Sequence, residues 1–84
     1  MNSQEMIVRF ESLGVPRDAY SVGADRDESY SLVHESGRWK VFYSERGNRN
    51  SEAVFADENA ACRELFERVT RDRIVQNAMA RRDG

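Results

Sequence analysis

The sequence predicts an α+β domain in which a three-stranded antiparallel sheet packs with two helices, in the order α-β-β-β-α. Three observations lead there. Apolar residues recur at helical spacing near both ends of the chain. A run rich in aromatic and β-branched residues, Trp39 to Glu45, occupies the middle. A Ser36-Gly37 turn signal separates that run from an alternating stretch just before it. At 84 residues there is room for one hydrophobic core, hence a single domain over 1–84.

The first helix is predicted over 3–13. Met6, Ile7, Phe10 and Leu13 fall on one face, and Asn2 with Glu5 has the spacing of a capping box. Gly14 and Pro16 stop it, since glycine accepts a left-handed C-cap and proline has no amide hydrogen to continue a helix. Residues 15–28, rich in turn formers, read as a loop that carries Tyr20 and Val22 toward the core. Ser29 to Glu35 alternates like a half-buried strand, and with Trp39 to Glu45 it should form a hairpin.

In that second strand Trp39, Val41, Tyr43 and Glu45 point to one face, and Lys40, Phe42, Ser44 and Arg46 to the other. Helices are expected to cover one side and leave a partly exposed aromatic surface on the other. Gly47 to Asn50 reads as a loop and Glu52 to Phe55 as a third, edge strand. Asp57 is a good N-cap for a second helix striped by Cys62, Leu65, Phe66 and Val69. Beyond Val69 the apolar positions shift phase to Ile74, Val75, Ala78 and Met79. Either the helix bends there, or its last turns leave the domain and offer those four residues to a partner or to a second copy of the chain. Residues 80–84 are expected to be a disordered tail.

Composition narrows the function classes. Fifteen acids against thirteen bases give a net charge of -2, too balanced to predict a nucleic-acid or membrane partner from bulk electrostatics. The single cysteine, Cys62, permits no intramolecular disulfide and no thiolate zinc cluster, which fits a reducing, cytoplasmic setting. No apolar run approaches the roughly 20 residues that a membrane span requires.

Catalytic and ligand motifs are weak. His34 is the only histidine, and Cys62 lies on the apolar stripe of the second helix, where a thiol acts as a small hydrophobe. Asp25, Asp27 and Glu28 lack the spacing of a calcium loop, and Gly37 and Gly47 stand outside any phosphate-binding pattern. The arginines of the second helix alternate with acids, as on a solvated face. No catalytic residue, cofactor or metal is therefore expected. What remains is Tyr43 to Arg49, an aromatic strand running out into a polar turn. Tyr43, Glu45, Arg46, Asn48 and Arg49 are the candidate partner-binding residues, because Tyr and Arg are enriched at interfaces. Asp25, Asp27 and Glu28 form a second, acidic patch suited to a basic partner.

The stretch Trp39-Lys40-Val41-Phe42-Tyr43-Ser44-Glu45-Arg46-Gly47-Asn48, preceded by Leu13-Gly14-Val15-Pro16 and Tyr20-Ser21 and followed by Asp57-Glu58-Asn59-Ala60-Ala61-Cys62, resembles small bacterial immunity proteins of polymorphic-toxin systems. The resemblance covers most of residues 6–69. It implies a protein that binds a cognate toxin domain and blocks its active site, without enzymatic activity of its own. The alternative is a small structural or regulatory domain that self-associates or docks through its C-terminal helix.

Overall fold

In the computed structural model, which describes the backbone of residues 1–83 and side chains through residue 81, α1 spans Ser3–Leu13. Its ends are set by its own sequence. The Asn2 side chain accepts the Glu5 N–H at 2.8 Å, and the Glu5 carboxylate accepts the Asn2 N–H at 3.0 Å, completing the capping box. Gly14 closes the helix at φ 80°. A second cap comes from afar: Glu58 accepts both the N–H and the hydroxyl of Ser3 at 2.9 Å. Those two hydrogen bonds hold the Glu58 carboxyl below the usual range. Glu58 opens α2, Glu58–Arg71, whose own N-cap is Asp57. The first turns of the two helices are thereby joined.

The class is α+β, as predicted, but the sheet is four-stranded and mixed. Its strands are β1 (Tyr20–Val22), β2 (Ser29–Glu35), β3 (Arg38–Glu45) and β4 (Asn48–Phe55), in spatial order β1-β2-β3-β4. β2, β3 and β4 are antiparallel neighbours, whereas β1 runs parallel to β2 with Tyr20 opposite Tyr30 and Val22 opposite Leu32. The segment read as a loop therefore holds a strand, too short to show alternation and joined by no hairpin turn.

The last strand also begins four residues before its expected start. Arg46 and Gly47 both have positive φ, 51° and 81°, which makes a two-residue turn whose twist suits a hairpin. Ser36 and Gly37 do the same between β2 and β3. The ladder then slips between Val41 and Tyr43, with Ser51 at φ 55°, and this bulge lets the polar start of β4 join its apolar end.

The phase shift in the C-terminal stripe has a simple origin. Asp72 leaves helical geometry at φ -65° and ψ 130°, and a separate helix, α3, runs from Arg73 to Asp83. The Asp72 carboxylate accepts the N–H groups of Ile74 and Val75 at 2.9 and 3.2 Å, so the residue that ends α2 also caps α3. The break turns Val75 into the core, with Met79 packed beside it, while Ala78 is half-buried and Ile74 stays 78% exposed. The four residues expected to form one contact patch thus do not share a surface. Of the expected tail, 80–83 continue α3, and Gly84 lies outside the described residues.

The core gathers Met6 and Phe10 of α1, Leu32 and Val41 of the sheet, and Ala61, Cys62, Leu65 and Val69 of α2. Phe10 links three elements, with Tyr20 at 4.5 Å and Phe66 stacked at 5.3 Å between ring centroids. The shortest dimension across the Cα atoms is 17 Å, enough for one helical layer over one sheet. Among the described residues no helix is long and apolar enough to cross a membrane.

Because Asp72 separates two helices and caps the second, Asp72→Ala should destabilise the fold by about 1–2 kcal/mol, read as a lower urea midpoint. An unchanged midpoint would mean that α2 and α3 fuse without loss.

Candidate functional site

Helices cover only the sheet face that carries Leu32 and Val41. The opposite face presents Ser29, Ser31, Val33 and Glu35 of β2 beside Ser44, Phe42 and Lys40 of β3. Phe42 was expected to contribute to an exposed aromatic surface, yet it is fully buried, and it lies outside the main core cluster. The Arg49 guanidinium covers it at 4.4 Å from the ring centroid. Arg49 also makes a two-pronged pair with Glu35, both bonds 2.9 Å, and reaches Asp25 and Glu52 at 3.4 Å. Lys40 adds a contact to Glu35 at 3.4 Å.

The remainder of this face is closed by residues 23–28. Ser21 donates to the Ala24 carbonyl and Ser29 to the Arg26 carbonyl, each at 2.7 Å, and the Ser44 hydroxyl donates to Asp25. Small hydroxyl side chains leave space for the loop and bind its oxygens. Asp27 accepts the Arg46 N–H at 2.7 Å, and the Glu28 N–H donates to the Ser44 carbonyl at 2.7 Å, fastening the loop to the β3–β4 turn. The two predicted groups of site residues therefore meet at one end of the sheet, with different roles. Asp25 and Arg49 are engaged in closing the open face. Glu45, Arg46 and Asn48 are exposed on the turn, and Glu28 is exposed beside it.

Tyr43 points to the helical side of the sheet, where the helices stop short of its end. Its ring meets Tyr30 edge-on, 4.9 Å between centroids at 64°. The Tyr30 hydroxyl donates to Asp72 at 2.8 Å. These groups line a cleft of about 230 Å³ together with Asp18, Glu28 and Ile74. Burial, followed by the Asp72 hydrogen bond, pushes the Tyr30 hydroxyl up to about 12. The Tyr43 hydroxyl is also raised, by burial first and then by the carboxylates of Glu45, Glu28, Asp72 and Asp27. Both tyrosines are neutral at physiological pH.

Of the residues lining this cleft, the sequence singled out Tyr43 and Glu28 as contact candidates and Ile74 as part of a separate helix patch, but not Asp18, Tyr30 or Asp72. The cleft draws on four segments: the 3-10 turn Arg17–Ala19, the start of β2, the end of β3, and the α2–α3 junction. Only the break in the apolar stripe at Asp72 could have hinted at it. Cys62 and His34 do not add a second site. Cys62 is buried, with its thiol pushed up to about 11 by burial and by Glu58, and His34 lies flat against Trp39 at 4.1 Å on the surface. Among the described residues no three His, Cys, Asp or Glu side chains come together in a way that could hold a metal ion. No protein-family model, curated protein or solved structure matches this chain.

Two outcomes test the closed face. Phe42→Ala should cost about 3 kcal/mol, as for a core phenylalanine, in urea denaturation; a loss below about 1 kcal/mol would show that the ring is not part of a packed layer. The second is a pH profile. The Arg49 hydrogen bonds lower the Glu35 carboxyl from its ordinary 4.5 to about 2. A depressed folded-state value stabilises above the unfolded value, so this contribution is lost as pH falls from about 4.5 toward about 2. Arg49→Met should flatten the stability profile in that window.

Proposed function

We propose that the chain is a toxin-neutralising, immunity-like protein that binds a cognate toxin domain through the acidic, tyrosine-bearing end of its sheet and blocks the toxin's active site. The observation that carries this reading is the cleft at Tyr30 and Tyr43, where Asp18, Glu28 and Asp72 supply three carboxylates and, among the described residues, no lysine or arginine lines the wall. Tyrosines in a concave, anionic setting favour a basic protein surface, by burying aromatic area and by steering encounter. The sequence resemblance around Trp39 to Asn48 points to the same class of partner.

Ile74 brings α3 into this reading. It is exposed and lies on the wall of the cleft, so the start of the C-terminal helix shares that wall with Tyr43 of β3. Glu45, Arg46 and Asn48 extend that surface outward.

The test is co-expression with the toxin domain encoded by a neighbouring gene. The wild-type chain should restore growth and form a one-to-one complex by light scattering. Glu28→Lys with Glu45→Lys should weaken the complex about 10- to 100-fold and slow its formation at low salt. Full affinity in that folded double variant would exclude this end of the sheet, and toxicity undiminished by the wild-type chain would exclude the function.

A further inference from the structure

The acidic cleft is concave and aromatic-walled, and among the described residues no lysine or arginine lines it. Its volume of about 230 Å³ lies below the roughly 300 Å³ at which small-molecule sites begin. It suits one side chain better than a cofactor. Asp72 is already occupied by the Tyr30 hydroxyl and by the two α3 amides. Asp18 and Glu28, by contrast, form no ion pair among the described residues.

Two arginines near the cleft are directed elsewhere. Arg17, next to Asp18, reaches toward Glu11 at 3.5 Å. Arg68, which acts on the Tyr30 hydroxyl, is held by Glu64 at 2.6 Å and by the Ser51 carbonyl at 2.7 Å. Among the described residues the lining therefore has negative charge and two aromatic rings, and no cation. An anion would be repelled, and the carboxylates do not converge as metal ligands do.

We infer that this cleft receives a single cationic side chain of the protein partner, a lysine or an arginine, held between the Asp18 and Glu28 carboxylates and against the tyrosine rings. An alkyl stem beside Ile74 and a charged head among carboxylates and aromatic rings is how such side chains divide their two halves. This rests on the binding role proposed above and names what the partner must present there.

Small probes test the inference without the toxin. Nα-acetyl-arginine amide, Nα-acetyl-lysine amide and the neutral Nα-acetyl-citrulline amide are titrated separately into the ¹⁵N-labelled chain. At least one cationic probe should give saturable amide shifts centred on Asp18, Glu28, Tyr43 and Ile74, with millimolar affinity, and the citrulline amide should give none. The stronger of the two cationic probes identifies the side chain. Asp18→Asn with Glu28→Gln, its spectrum otherwise preserved, should raise the dissociation constant at least about tenfold. Shifts of equal size with the citrulline amide, or unsaturable shifts spread over all exposed carboxylates, would overturn the inference. If toxin neutralisation holds while the cleft ignores both cations, the inference alone fails. Saturable cation binding in a chain that neutralises no toxin would leave the cleft's preference standing and remove the function proposed above.

Discussion

The guanidinium of Arg49 over the ring of Phe42 is the contact around which the rest of this small fold is arranged. Two helices and their continuation cover one face of a four-stranded sheet, and among the described residues no helix covers the other. A bare apolar face there would expose Phe42 and Val33 to water. Arginine solves this with a planar cation that can lie on an aromatic ring while its edge bonds carboxylates, as it does with Glu35. The row of serines finishes the closure by seating the acidic loop. Serine is the fitting residue: a larger side chain would hold the loop off, and alanine would leave the loop carbonyls without donors.

That closure has a consequence on the opposite face. Loop 23–28 is fixed to Ser44 of β3 through Asp25 and the Glu28 amide, and to the β3–β4 turn through Asp27, so the Glu28 backbone stands at a defined place. On the other wall Asp72 ends one helix, starts the next and receives the Tyr30 hydroxyl. Tyr30, Asp72 and the backbone that carries Glu28 are thus held by the same bonds that hold the fold. Such a surface needs little ordering on association, which lowers the entropic cost of binding.

Much of the fold was legible. The capping box, the Gly14 stop, the β2–β3 hairpin and the stripe of α2 are local patterns, and local patterns are what a single sequence displays. What it hid depended on long-range pairing. Val22 joins the sheet only because Leu32 lies beside it, and Asn48 to Asn50 extend β4 only because a bulge at Ser51 corrects their register. The same limit applies to the site. Asp25 and Arg49 looked like recognition charges of two separate patches, because charge pattern shows that a residue is polar without showing which partner satisfies it. Asp18, Tyr30 and Asp72 looked ordinary because nothing in the sequence brings them together.

We propose that a partner engages the tyrosine end of the helical face, while the Arg49 side of the sheet closes the fold. Hydrogen exchange of the chain, with and without the toxin domain from a neighbouring gene, tests it most directly. Added protection is predicted at residues 17–19, 28–30, 43–47 and 73–75, with α1 from Val8 to Leu13 unchanged. Protection confined to α1 and the outer surface of α2, with the tyrosine end exchanging as in the free protein, would contradict it.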